Sequence, residues 1–314
     1  MENKRKILHI SHIQDLDGKM APILTKILYP SHEIEVLLLN NSEMNKVIID
    51  KLNTCESDVY EKIIITDLGI NEEAFDLVAN LQQKLNISFY DHHINSINNC
   101  KRHAFPKWAH VTDIYSATLI YVLYHNHSQY FNERMHLLAI NVSDYDTFKF
   151  KENNNKDAER LNVFFSICSF EEFERYVIDY ITHKTDYIYQ EGKAAVLDYI
   201  FENRQRFIDE VQKTAKIIDF YGRKCAVSFT DHFDYVSELG YQICVKHPEI
   251  DIFMSVNPSN PNVQLRSRKE EANLYELAKS LGGGGHAFAA GFPFKMDVYI
   301  DILKLWAESN EYLM

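Results

Sequence analysis

The sequence predicts an α/β protein: a parallel sheet with helices on both faces over residues 1–188, a linker helix over 189–218, and a smaller mixed α/β domain over 219–314. Three observations predict it. Short apolar runs alternate with helical stretches through the first ninety or so residues, as strands do when crossover helices join them. Acids and histidines follow those runs, at Asp15, Asp17, Asp67, Asp91, His92 and His93, and open α/β sheets gather their ligands at the carboxyl ends of strands. A long helical tract then gives way to a second β-patterned region beyond Asp219.

Each element follows from its own residues. Lys6 to Ile10 (KILHI) reads as a short buried strand, and Ser11 to Gly18 (SHIQDLDG) as its exit. Two acids at i and i+2 repel unless a cation lies between them; an acidic Asx turn with a helix cap is the plainer reading of that stretch. Lys19 to Tyr29 is expected to be helical, with Pro22 tolerated in its first turn. Ile34–Leu39 and Lys62–Thr66 are the next strands, with helical sequence between them. Asn71 caps a helix whose apolar stripe is Ala74, Leu77, Val78, Leu81 and Leu85. Ser88–Tyr90 is a short strand running into Asp91-His92-His93. Two apolar helices occupy Ser116 to Val142, the second ending at Ser143-Asp144. After the polar loop KENNNKD, helix follows helix to about Lys216, the last a long charged one from Glu191. Strands are then expected at Lys224–Phe229, Ile250–Val256 and Val263–Ser267, with helices at Ser237–Lys246 and Leu274–Leu281. The second of these runs into Gly282-Gly283-Gly284-Gly285-His286.

Composition narrows the function. Lys and Arg number 33 against 45 Asp and Glu, a net charge of −12, which argues against a surface that tracks long nucleic acid. Five scattered cysteines without a CxxC pair suggest neither a zinc site nor a disulfide framework. No apolar run approaches the roughly 20 residues of a membrane span, and a cytoplasmic protein is expected. Carboxylate and imidazole without thiolate form a ligand set for manganese, magnesium or iron. Acids on one turn, a third acid on a neighbouring strand and a histidine on the next are what a two-metal site needs. Asp67 is the natural bridge, because it follows the strongly buried run IIIT lying between the other two. In the second domain, Gln264, Arg266 and Arg268 share one strand face. An arginine fork suits phosphate, and consecutive glycines let backbone approach a ligand.

These residues carry a resemblance. HIQDLDG, IIITDLG, DHH and VSDYD, in this order and spacing, resemble the four motifs of the DHH phosphoesterase family, and VQLRSRK with GGGGHAFAAGF resembles its DHH-associated domain. The resemblance covers most of the chain. It implies that His12, Asp15 and Asp67 hold one divalent metal ion and that Asp17, Asp67, His92 and Asp144 hold a second, manganese being the expected metal. His12 stands three residues before Asp15 where His-containing relatives commonly have four. Asp144 is taken over Asp146 because it ends the apolar run LLAINVS. The resemblance further implies that His93 faces the scissile phosphate and that Asp91 orients the two histidines. Arg266, Gly283, Gly284, Gly285 and His286 are expected to bind substrate phosphate and base across an interdomain cleft.

Among the activities of the family, the compact nano-RNase (oligoribonuclease) branch fits best. It implies a metal-dependent phosphodiesterase, an exonuclease that cuts short oligoribonucleotides or dinucleotides to 5′-mononucleotides by two-metal activation of water. The alternatives are a phosphatase for 3′,5′-bisphosphorylated nucleosides, a cyclic (di)nucleotide phosphodiesterase, and a nucleotide-binding module that has lost its chemistry. The expected partners are short RNA or dinucleotides, with no long nucleic-acid track and no membrane; a homodimer is open.

Overall fold

The first apolar run is longer than its sequence suggests. In the computed structural model, which describes residues 5–56, 58–190, 192–230, 235–257, 259, 262–285, 287–293 and 295–313, β1 spans Lys6–His12 and is buried along almost its whole length. It leads through Asp15, which caps the helix with its side chain, into α1 (Leu16–Leu28). Because that helix starts at Leu16 rather than Lys19, Pro22 falls in its second turn, beyond the expected first-turn position. Then follow β2 (Glu33–Leu39), α2 (Met44–Thr54), β3 (Lys62–Thr66), α3 (Glu72–Leu85), β4 (Ile87–Asp91), α4 (Ile94–Arg102) and β5 (Ala109–Val111). Asn71 caps α3 as its sequence predicts, its side chain accepting from the Ala74 N–H. The three-residue β5 has no apolar run to announce it and is not legible in the sequence.

These five strands form one sheet in the order β2-β1-β3-β4-β5, every pair parallel. The chain winds outward one way from β1 to β2 and the other way from β3 to β5. That order places a topological switch point between β1 and β3, where ligands bind at the carboxyl ends. Alternation along the strands divides the core. Leu8, Ile10, Ile63 and Ile65 pack with Ile48 of α2 and Phe75 and Val78 of α3 on one face. His9 and Thr66 point to the other, towards Thr25 of α1 and Tyr121 of α5 (Ala117–Tyr124).

Helices α6 (Glu133–Asp146), α7 (Lys156–Ser166), α8 (Phe170–Ile181) and α9 (Lys193–Thr214) complete the run of helices. The chain separates into two compact units, residues 1–197 and 198–314, with the boundary inside α9. The expected linker helix over 189–218 is thus cut short: β6 begins at Lys216, and Lys216 to Phe220 are strand.

The second unit is built on β6 (Lys216–Phe220), β7 (Arg223–Phe229), α10 (Val236–Lys246), β8 (Ile252–Asn257), β9 (Asn262–Arg266), α11 (Leu274–Ser280), β10 (Gly284–Gly285), β11 (Ala289–Pro293) and α12 (Met296–Glu308). Its sheet order is β10-β11-β9-β8-β7-β6, antiparallel except for β7 with β8. Val263 and Leu265 of β9 pack into a core shared with Leu274 and Leu277 of α11 and Ile302 of α12. Asn262, Gln264 and Arg266 alternate to the opposite face. No helix among the described residues is long and apolar enough to cross a membrane.

Candidate functional site

Five carboxylates and three histidines meet at the carboxyl ends of β1, β3 and β4. Three overlapping groups have ligand atoms within 4.8 Å of one another: His12, Asp15 and Asp67; Asp67, Asp91, His92 and His93; and Asp17, His92 and Asp146. Asp67 belongs to two of the groups and His92 to two. Asp67 is 3% exposed at its side chain and sits in the left-handed backbone region at φ 54°, uncommon for a residue with a Cβ. Its backbone N–H donates to the Tyr90 carbonyl, which ties the end of β3 to β4.

His12 is brought into the cluster despite its three-residue spacing. Its Nδ1 donates to Asp15 Oδ2 at 2.6 Å and lies 3.8 Å from Asp67 Oδ2. Asp15 Oδ1 is meanwhile held by the Gly18 N–H. A Cβ at Gly18 would come within 2.4 Å of the His12 carbonyl oxygen, so the absence of a side chain there lets α1 begin directly beneath His12. His92 Nε2 stands 3.4 Å from Asp67 Oδ1 and 3.3 Å from Asp146 Oδ2. His93 Nδ1 donates to Asp91 Oδ1 at 2.8 Å, so Asp91 orients His93, while no hydrogen bond joins Asp91 to His92 among the described residues. Burial alone would push the His93 pKa down, but the Asp91 charge and hydrogen bond, with Asp146 and Asp17, raise it to about 9.

The fourth acid corrects the sequence. Helix α6 runs on past Asp144 to Asp146, and residues two apart on a helix project roughly 200° apart. Asp146 turns into the cluster, whereas Asp144 accepts from Asn153 Nδ2 at 3.0 Å and Asn155 Nδ2 at 2.8 Å. The polar NNN loop, featureless as sequence, is what engages Asp144. Asp17 has a second task. Its two oxygens accept from the Ala117 and Thr118 N–H groups, both at 2.9 Å, so it caps α5, whose own Ser116 makes no side-chain cap bond.

The donor set fits divalent cations. Burial raises the pKa of Asp67 well above the usual carboxylate range, and the charges of Asp17, Asp15, Asp146 and Asp91 raise it further. Asp146 is pushed up in the same way, first by burial and then by Asp17 and Asp15. Asp67 Oδ2, Asp91 Oδ2 and His12 Nε2 are buried with no hydrogen-bond partner among the described residues. Nor does any lysine or arginine among the described residues pair with one of the five acids. Buried carboxylates without an organic cation are either neutralised by protonation or offset by another positive charge, and a divalent ion is the charge this donor set is suited to hold.

Behind the acids lies a neutral hydrogen-bonded chain that the sequence did not single out. His9 is fully buried between Thr25 Oγ1 at 2.8 Å and Thr66 Oγ1 at 2.9 Å. Burial lowers its pKa to about 3, with His125 adding to the shift. Thr25 gives its hydroxyl proton to the Ala21 carbonyl, so it accepts from His9 Nδ1, and His9 Nε2 accepts from Thr66. Ser11 donates into Thr66 as well. The residues preceding both His12 and Asp67 are thereby fixed.

The second unit holds a separate cavity of about 630 Å³, lined by Asn262, Gln264, Arg266, Gly284, Gly285, Ala289, Gly291 and Phe292 among others. Arg266 is surrounded by neutral acceptors: Ser237 Oγ, the Leu265 carbonyl and Gln264 Oε1. Burial lowers its pKa. A Cβ at Gly240 would lie 2.6 Å from Arg266 Cβ, so α10 packs this close only because that position has no side chain. Gly284 and Gly285 line the cavity, but Gly283 does not. Its N–H is spent on the Ala278 carbonyl at the end of α11, and a Cβ on it would strike the Gly291 carbonyl. Arg268 lies over the Tyr241 ring at 4.9 Å and is not among the lining residues. His286 lies outside the described residues.

No protein-family model matches the chain. The oligoribonuclease NrnB of Bacillus subtilis (strain 168) is 25% identical over 308 residues, which covers 93% of this chain and 74% of that protein. That likeness agrees with the resemblance to the DHH phosphoesterases that the motifs carry. The chain shares its fold with the pGpG-specific phosphodiesterase PggH of Vibrio cholerae, at TM-score 0.61 and 16% identity, over 96% of this chain and 97% of that one. It also shares it with a DHH domain described as belonging to a family of ribosomal proteins, at TM-score 0.60 and 13% identity, over 97% and 86% of the two chains.

Proposed function

We propose that this chain is a metal-dependent hydrolase of phosphodiester bonds, acting in the cytoplasm on dinucleotides and very short oligoribonucleotides and releasing 5′-mononucleotides. The observation that carries the reading is the buried carboxylate cluster with no lysine or arginine partner among the described residues, in a chain similar over 308 residues to a protein named an oligoribonuclease. The fold shared with a pGpG-specific phosphodiesterase supports a substrate of dinucleotide size. Five free cysteines fit a reducing compartment.

In this reading His12, Asp15 and Asp67 hold one divalent ion, and Asp17, Asp67, His92 and Asp146 hold the other, with manganese preferred. Bound there, such ions supply Lewis-acid activation of water and neutralise charge on the scissile phosphate. The chain contributes the rest. Asp67 spans the two ligand groups from a backbone fixed by Thr66 and Tyr90. His93, oriented by its hydrogen bond to Asp91, faces the scissile phosphate. Arg266, a cation among neutral acceptors, takes an anionic phosphate, and the cavity beside it takes a nucleoside.

The test is a product assay with Mn²⁺ against dinucleotides, longer RNA, a 3′,5′-bisphosphonucleoside and cyclic nucleotides. Dinucleotides should turn over fastest, yield 5′-mononucleotides and become inert on chelation. Turnover that survives exhaustive chelation, or a clear preference for the bisphosphonucleoside, sinks the reading.

A further inference from the structure

The cavity of the second unit sets a carboxamide beside a guanidinium on one face of the sheet. Its floor is set by strand register: Gln264 on β9 pairs with Gly291 on β11, which pairs with Gly284 on β10. Three residues side by side across three strands thus present one carboxamide and two positions without side chains. A Cβ at Gly284 would meet nothing within 4 Å, so the space above it is open rather than filled by packing. A planar ring can lie flat on this Gly-Gly floor with its edge against Gln264. Gln264 and Arg266 are alternate residues of β9 on one face, and Arg266 is the only arginine or lysine lining the cavity among the described residues.

The carboxamide is not free to present either end. Arg266 can only donate, and its Nη2 lies 3.0 Å from Gln264 Oε1, so the oxygen is committed to the guanidinium. What remains is Nε2, with two hydrogens and no hydrogen bond among the described residues, on a side chain that lines the cavity. A fixed double donor discriminates between purines. Guanine presents two adjacent acceptors, N7 and O6, on its Hoogsteen edge, whereas adenine presents the acceptor N7 beside the donor N6. An amide free to turn would satisfy adenine with one oxygen and one hydrogen; this one cannot without breaking its bond to Arg266.

We propose that Gln264 selects guanine, through donation from Nε2 to O6 and N7 of a base lying over Gly291 and Gly284, with the phosphate of that nucleotide on Arg266. This rests on the reading of the chain as an enzyme of short nucleotides and names the base it prefers. A matched hydrogen bond in place of a donor–donor clash gives guanine an advantage of roughly tenfold.

The experiment is calorimetric titration of the full chain with GMP, AMP and 7-deaza-GMP, repeated on Gln264→Met and Gly284→Val. The wild-type chain should bind GMP about tenfold tighter than AMP, with 7-deaza-GMP between them. Gln264→Met, close in shape and without a donor, should bring GMP and AMP together. Gly284→Val, at a position where a side chain meets no protein atom, should weaken both. Equal binding of GMP and AMP by the wild-type chain, no binding of either, or a preference that persists in Gln264→Met overturns the proposal. Dinucleotide hydrolysis measured alongside separates the two ideas. Turnover without a GMP preference removes the base selection and leaves the enzyme; a Gln264-dependent GMP preference without turnover does the reverse.

Discussion

Asp144 and Asp146 differ by two positions and face opposite ways. Asp146 lies 3.3 Å from His92 Nε2, and Asp144 is bonded to two asparagine amides. If the cluster is catalytic, Asp146→Asn should lower turnover by more than roughly 100-fold, beyond what losing a partner outside the ligand shell costs. Asp144→Asn should cost roughly tenfold or less and leave metal content unchanged. Measuring kcat and bound metal for the two variants checks this, and the reverse order would reinstate Asp144. The sequence showed both acids but not which one counts, because the answer depends on whether α6 stops at Ser143 or continues for one more turn. His12 posed the opposite difficulty. Its spacing looked wrong for the cluster, yet the side-chain-free approach at Gly18 lets it reach Asp15 and Asp67. A spacing counted along the chain does not report how tightly the following helix turns.

Among elements, the strands that carry the cluster were the most legible. KIIIT is a continuous β-branched run in the middle of a parallel sheet, and its bounds are those read from the sequence. Such strands are buried on both faces, so burial and propensity point the same way. The elements that the sequence hid are those whose residues serve a neighbour. β5 is three residues long, and β6 was absorbed into the helix before it because Lys216 and Asp219 break the apolar pattern. In the structure Lys216 Nζ sits 4.3 Å from the Trp306 ring centroid, which lets a lysine occupy a largely buried strand position. Helix α5 begins where Asp17, a hundred residues earlier, supplies its cap. No local pattern announces a cap delivered from so far away, and the same bonds make Asp17 both a support of the fold and a member of the cluster.

For the molecule as a whole, charge sets how much substrate it can hold. With 33 basic residues against 45 acidic ones, the chain has little to offer the phosphates of a long strand. Hydrolysis should therefore fall steeply between two and about five nucleotides. The slope of log binding against log salt should lie near −1 to −2, as expected when only one or two phosphates are engaged. Single-turnover rates on labelled RNAs of two to twenty nucleotides, at several salt concentrations, measure both; faster cleavage of the twenty-mer would reveal a positive track elsewhere on the surface. The acid cluster described above also has a thermodynamic side. Carboxylates crowded at a strand end work against the folded state for as long as nothing offsets them, so the chain trades resting stability for function. Without added metal, Asp67→Asn should melt higher than the wild-type chain, by about 2–4 °C for each kcal/mol of repulsion relieved. With saturating Mn²⁺ the order should invert, because a ligand that binds only the folded state stabilises the chain that binds it better. Differential scanning calorimetry with and without the ion reads both changes, and a wild-type chain that melts higher in each condition would mean that the acids are not under strain. The fold is then half of a bargain: the sheet gathers like charges at some cost, and the ion that makes them useful also keeps the protein folded.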